Sequence, residues 1–272
     1  MGAGEARGDD RVSQVETAGH DPSVRDRAGR DPPGPRWPPA PSCLSCDGPV
    51  RPGSLRCYCC DRLVRTLGRP LAPVATACAY RVGEQAHRWL RAYKDDPSPA
   101  VRTVTARVLA ERFDAWLRWA GDDLAVRFGG PWEAVATVPS TRPGRHGAPV
   151  DVLVRSVPSL AGATRVPLVR ASAPVGHLVA DARAFAVAGG LRPDGPVLVV
   201  DDTVTTGARA QSAVACLRLA GWRVAGVVAV GRALDPTVGP WVATYWAERR
   251  GWQVPALLAR DPRAVAPGRL DG

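Results

Sequence analysis

The sequence predicts a doubly wound α/β fold with a mainly parallel sheet, preceded by a small zinc-ribbon-like module. Three observations predict it. Short β-branched apolar runs alternate with segments of helical period. One such run, "PVLVV" at 196–200, passes into "DDTVTTG" and then a helical pattern. Two Cys-x-x-Cys pairs stand ahead of all of this.

Residues 1–40 are rich in Gly, Pro, Arg and Asp and poor in large aliphatic side chains. Such a segment cannot offset the entropy of ordering, so a disordered tail is expected. The opening "MGAGEARGDDRVSQ" resembles neither a secretory signal nor a transit peptide, and nowhere do about 18 apolar residues run together. A cytoplasmic chain with no membrane insertion is expected. With 45% hydrophobic and 23% charged residues, the 272-residue chain has the composition of a globular protein with a substantial core. Its net charge of +10 suits an anionic ligand, whether nucleic acid, nucleotide or phosphorylated sugar, without choosing among them.

Five of the seven cysteines lie between positions 43 and 60. Cys43-x-x-Cys46 and Cys57-x-x-Cys60, separated by ten residues, can present four thiolates tetrahedrally, as Zn²⁺ prefers. In a reducing cytosol metal ligation is favoured over disulfides. Gly48 and Gly53 supply tight turns, and Cys59 is a spare thiol able to replace Cys57 or Cys60. Cys78 and Cys216 fall on apolar patterns and are assigned to the core. The module is placed at 41–66, the main domain at 67–235, and a C-terminal extension without a readable pattern at 236–272.

Val82, Ala86, Trp89, Leu90 and Tyr93 recur at helical spacing and predict an amphipathic helix over 82–93. Lys94, the one lysine among 36 cationic residues, sits at or just past its end. The next helix has Ser98 as N-cap, Pro99 at its first position and Gly121 as its stop, with Val101, Val104, Val108, Leu109, Phe113, Trp116 and Leu117 on one face. Residues 134–138, 166–169 and 196–200 read as short buried parallel strands. A helix over 208–221 and a strand over 223–234 complete the alternation.

Ligands of open α/β sheets bind outside the carboxyl ends of the strands, where the 201–207 turn lies. Thr205, Thr206 and Gly207 open a helix whose free N–H groups and dipole favour a phosphate. Asp201 and Asp202 can accept hydrogen bonds from vicinal hydroxyls, directly or through hydrated Mg²⁺. An N-cap aspartate in an ordinary turn would explain one of the two acids, not both together with Thr-Thr-Gly.

"VLVVDDTVTTG" resembles the signature of type I phosphoribosyltransferases. Joined to the four-cysteine module, the chain resembles the ComF family of competence-associated, phosphoribosyltransferase-like proteins; "LRAYKDD" and "VPSTRPGRHG" are similar to further family segments. The resemblance implies a sheet of the type I phosphoribosyltransferase kind and binding of phosphoribosyl pyrophosphate with Mg²⁺. It places Asp201 and Asp202 on the ribose and Mg²⁺, and Thr203, Thr205, Thr206, Gly207 and Arg209 around the 5-phosphate. Lys94, Ser140, Thr141, Arg142 and Arg145 are expected to face the pyrophosphate. The implied reaction is transfer of ribosyl-5-phosphate to a nitrogen acceptor with release of pyrophosphate. The chain departs from the pattern at Arg209, where the family has a threonine, and in "RHGAPVD" and "PVGHLVADARAF", which bears on transfer more than on binding. His146 and His177 have no visible partner and are read as incidental. The rival reading is a non-enzymatic protein of DNA uptake or processing that binds single-stranded DNA or a DNA-processing protein, with self-association as a homo-oligomer a further expectation.

Overall fold

The computed structural model describes residues 42–140, 149–171, 173–189 and 195–252, which fall in one compact unit. The tail expected over 1–40, the loop residues Thr141, Arg142, Arg145 and His146, and most of the C-terminal extension lie outside the described residues.

The architecture is α/β, with a mixed, mostly parallel sheet. The cysteine segment leads into α1 (Tyr58–Leu67), which Cys57 caps and which ends on Gly68 in the left-handed region, φ 61°. Then β1 (Val74–Thr76) and β2 (Cys78–Tyr80) form two halves of one strand, broken at Ala77, whose N–H donates to the Ala229 carbonyl at 3.0 Å. Next come α2 (Gln85–Asp95), α3 (Pro99–Phe128), β3 (Ala134–Thr137), α4 (Pro149–Arg155) and β4 (Thr164–Arg165). A hairpin of β5 (Leu168–Arg170) and β6 (Phe185–Val187) precedes β7 (Val197–Val204) and α5 (Ala208–Leu219). β8 (Val224–Ala233), α6 (Pro240–Arg249) and β9 (Gly251–Trp252) close the described chain.

The main sheet runs β4-β3-β7-β8-β2-β9, with β1 also on β8; every pairing is parallel except that of β9 with β2. From the adjacent strands β3 and β7 the chain continues outward in opposite directions, to β4 and to β8. The crevice above their carboxyl ends is therefore where such sheets hold ligands. Val197, Leu198, Val199 and Val200 are fully buried, as a central strand covered on both faces requires.

Four elements differ from the sequence expectation. α2 begins at Gln85, so Val82 lies ahead of the helix and is exposed. Gly121 does not stop α3; Ala120, Leu124 and Phe128 extend its buried stripe, and this burial outweighs a glycine cost of about 1 kcal/mol. The cap is Gly129, at φ 76°. At the other end Val101 and Val104 lie outside the core, so the face expected to be buried starts a turn later. The strand expected at 166–169 is split: Thr164 and Arg165 pair with β3, Pro167 cannot donate to a ladder, and Leu168–Arg170 turns into the antiparallel hairpin. β7 runs on to Val204, because β8 continues beside it and pairs Asp201 with Ala229, Thr203 with Gly231 and Val204 with Arg232.

Candidate functional site

Asp201 and Asp202 lie within the last half of β7, not in the loop after it, and both are buried. Burial of a carboxylate is costly unless it is paired. Here each acid has a cation. Lys94, in the last turn of α2, places its Nζ 2.5 Å from Asp202 Oδ2. Arg209, in the first turn of α5, places a guanidinium nitrogen 3.4 Å from Asp201 Oδ1 and 3.9 Å from Asp202 Oδ1. Tyr93 donates its hydroxyl to the Asp202 oxygen that Lys94 holds. The Asp202 N–H donates to Asp201 Oδ1 at 2.8 Å. Asp202 Oδ1 is left buried with no hydrogen-bond partner among the described residues.

The two acids consequently titrate apart. Burial pushes Asp201 up to about 6, against the pull of Arg209. For Asp202 burial acts the same way, but the charges of Lys94 and Arg209 and the hydrogen bonds from Lys94 and Tyr93 outweigh it and hold the carboxyl below its ordinary range.

The turn beyond them follows from one glycine. Gly207 has φ 81°, a left-handed conformation that residues with a Cβ adopt at a cost, and it serves as the N-cap of α5. Its carbonyl accepts from Gln211 N, so Gln211 makes the first intrahelical bond and the N–H groups of Arg209 and Ala210 stand in the first turn of the helix, ahead of it. Thr206 Oγ1 accepts from Ala208 N at 3.4 Å, Thr205 is exposed, and Thr203 Oγ1 is 3.4 Å from the Tyr80 hydroxyl. Ser140 lies just past β3, whose Thr137 is the register partner of Val200.

The fold thus brings Lys94, Ser140, Asp201, Asp202, Thr203, Thr205, Thr206, Gly207 and Arg209 to one end of the sheet. Lys94 and Arg209, assigned from the sequence to the pyrophosphate and the phosphate, stand on the carboxylates. Tyr93 and Tyr80 were not anticipated. The available signal was the adjacency of Tyr93 to Lys94, since a buried tyrosine needs a partner for its hydroxyl.

The second cluster is the cysteine module. The Sγ atoms of Cys43, Cys46, Cys57 and Cys60 all lie within 4.8 Å of one another, and Cys46 and Cys57 are 3.7 Å apart. A tetrahedral Zn²⁺ with Zn–S bonds of about 2.3 Å would set sulfurs about 3.8 Å apart, so the donor set fits. Asp47, at φ 52°, makes the first Cys-x-x-Cys turn, closed by Cys43 N donating to Gly48 O at 2.8 Å. Without a cation the thiols divide their protons unequally. Hydrogen bonds from Cys46, Cys57 and Cys60 drive Cys43 well below the usual thiol range, while hydrogen bonding to Cys43 raises Cys60. A metal ion would displace those protons and hold four thiolates together. Cys59 is not among the four, and Cys78 and Cys216 are buried as expected.

Arg232 joins this cluster to the sheet. Its guanidinium is buried at the end of β8, donates to the Cys46 carbonyl and lies 3.9 Å from Cys46 Sγ. Burial opposes its charge, and Cys46, Tyr245 and Asp47 more than restore it. Asp47 in turn accepts from Arg249 at 3.0 Å, and its carbonyl accepts from the Tyr245 hydroxyl at 2.6 Å. Leu63 of α1 packs on Ala208 at the start of α5, so the cysteine module also backs the 201–207 turn.

No family model matches this chain, and no curated protein matches it. Among the described residues no helix is long and apolar enough to cross a membrane.

Proposed function

We propose that the 201–207 turn binds a phosphorylated ribose, with phosphoribosyl pyrophosphate and Mg²⁺ as the ligand, in agreement with the resemblance of "VLVVDDTVTTG" to type I phosphoribosyltransferases and of about residues 43–235 to the ComF family. The observation that carries this reading is Asp202 Oδ1: a buried carboxylate oxygen without a hydrogen-bond donor among the described residues, beside a helix N-terminus opened by Gly207. A ribose hydroxyl supplies the missing donor, and the 5-phosphate takes the N–H groups and the hydroxyls of Thr205 and Thr206.

Binding is then an exchange. The ligand's hydroxyls replace an ammonium and a guanidinium at the two carboxylates, and Lys94 and Arg209 swing onto its phosphates. Each charge keeps a partner throughout, which avoids the cost of a buried unpaired ion. Asp201 and Asp202 are hard anionic oxygen donors suited to Mg²⁺ or its waters, and the ion would neutralise charge on the departing pyrophosphate. Lys94 and Ser140 would line the pyrophosphate side. The reaction that such a ligand serves is transfer of ribosyl-5-phosphate to a nitrogen acceptor. The four cysteines act as a structural zinc site that fixes Arg232 and the end of β8.

Transfer is tested by following pyrophosphate release with Mg²⁺ and candidate acceptors: ammonia, glutamine and free bases. Release by the wild type and its loss in Asp202→Asn supports the reading. Absence of release with every acceptor would restrict the function to binding.

A further inference from the structure

A second cleft lies at the β2–β9 edge of the sheet. A cleft of about 540 Å³ is bounded by β2, the turn into α2, α2, α3 and β9, and contains none of the acidic-turn residues. Its volume is within the range of about 300–1,000 Å³ typical of small-molecule sites. The floor is Cys78, Ala79 and Tyr80, all buried. Two glycines of its lining, Gly83 and Gly251, border open space: an added Cβ would meet nothing within 4 Å.

The walls are aromatic and cationic. Trp89 of α2 and Trp252 of β9 both line the cleft. The Arg112 guanidinium lies 5.2 Å from the Trp89 ring centroid and 5.6 Å from that of Trp252. This places a planar cation and two indoles together, a surface suited to stacking against a flat, electron-rich ring. Arg88 lines the same cleft and is exposed, giving a positive charge for an anionic substituent. Glu84 and Gln85 line it as well and offer hydrogen-bonding groups for a heterocycle's edge. Aromatic faces beside arginine charges are the combination by which proteins hold a base and its phosphate.

We propose that this cleft binds a free nucleotide, a nucleobase carrying a 5′-monophosphate, as a site separate from the sugar-phosphate turn. The base stacks on the Trp89–Arg112–Trp252 layer and the phosphate meets Arg88. The two sites are neighbours: Tyr80 lines the cleft floor while its hydroxyl is 3.4 Å from Thr203 Oγ1, one residue from Asp202. Occupancy of the cleft therefore has a direct route, through one side chain, to the turn.

The experiment is a titration of the full-length protein with adenosine and uridine 5′-monophosphates, read by tryptophan fluorescence and checked by calorimetry. Saturable quenching is expected. Trp89→Leu should weaken binding about tenfold, the loss of one stacked base partner. Arg88→Glu alters an exposed side chain whose guanidinium donates to the Gly83 carbonyl; with its fold verified by circular dichroism it should weaken binding several-fold, so the test survives a Trp89 variant that misfolds. Asp202→Asn should leave nucleotide binding unchanged even if it abolishes binding of phosphoribosyl pyrophosphate. Ribose 5-phosphate, which has no ring to stack, should not quench. The proposal is overturned if no saturable signal appears, if quenching is the same in Arg88→Glu and wild type, if Asp202→Asn removes it, or if only an oligonucleotide binds.

Discussion

The cysteine module and the acidic turn are both buried clusters of acid-forming groups, and they solve the same electrostatic problem in opposite ways. Four thiols crowd within 4.8 Å of one another with Arg232 as the neighbouring cation, and they cannot all ionise unless a metal joins them. The two aspartates are already matched by Lys94 and Arg209. The first cluster is a set of four donors that a metal ion could join. The second has its charges matched, with Asp202 Oδ1 as the one carboxylate oxygen still without a donor among the described residues. Metal loss should therefore be felt throughout the fold, while ligand loss at the turn should be tolerated.

The largest effect should come from breaking the module. Protein purified without chelator should contain about one zinc per chain, and Cys46→Ser should lower that content and cost several kcal/mol, seen as a large drop in Tm. Zero zinc in the wild type would contradict the assignment. Arg232→Met comes next. It removes a buried cation from beside Cys46 and leaves Asp47 with Arg249 alone, so a loss of about 3 kcal/mol in urea unfolding and faster zinc release to a chelator are expected. A variant with unchanged zinc retention would separate Arg232 from the metal site.

At the turn the effect is smaller and depends on pH. Asp201 binds its proton more tightly in the folded state, its carboxyl being pushed up to about 6. A raised value stabilises the fold below the ordinary carboxyl range, and that contribution is lost as pH rises from about 4 through about 6. Wild type should therefore lose stability relative to Asp201→Asn over this window, by up to about 3 kcal/mol. The lowered Asp202 titration works in the opposite sense and lies below the ordinary carboxyl range, beneath this window. A flat difference between pH 4 and 6 would mean that Asp201 is not held as described.

The smallest effect is predicted for Gly207→Ala. Its Cβ would approach only Leu63, at 3.9 Å, so the cost is that of the backbone at φ 81°, about 1 kcal/mol. A loss well above this would show that the turn tolerates less movement than its open surroundings suggest.

The same contrast explains what could be read in advance. The cysteine ligands were legible because metal chelation fixes residue type and spacing together, and Cys43, Cys46, Cys57 and Cys60 converge as that spacing requires. The acidic turn was legible in its parts, since strand, Gly207 and helix follow from local chemistry. Its wiring was not. That Lys94 reaches Asp202 depends on α2 ending over β7, a long-range arrangement that no local pattern carries. The helix stop at Gly121 failed for a similar reason: the packing of Leu124 and Phe128 overrides a local preference. The split near Pro167 was within reach, because a proline inside a short apolar run argues against a regular strand. α6 and β9 came without a readable signal; β9 is two residues long and exists through its pairing with β2.

The most direct test of the central claim, that the turn is a pocket for a phosphorylated ribose, is calorimetric titration with phosphoribosyl pyrophosphate and Mg²⁺ in wild type, Asp202→Asn and Lys94→Ala. Saturable heat in the wild type with at least a tenfold loss of affinity in Asp202→Asn is expected. No heat in the wild type, or equal affinity in Asp202→Asn, would contradict the account.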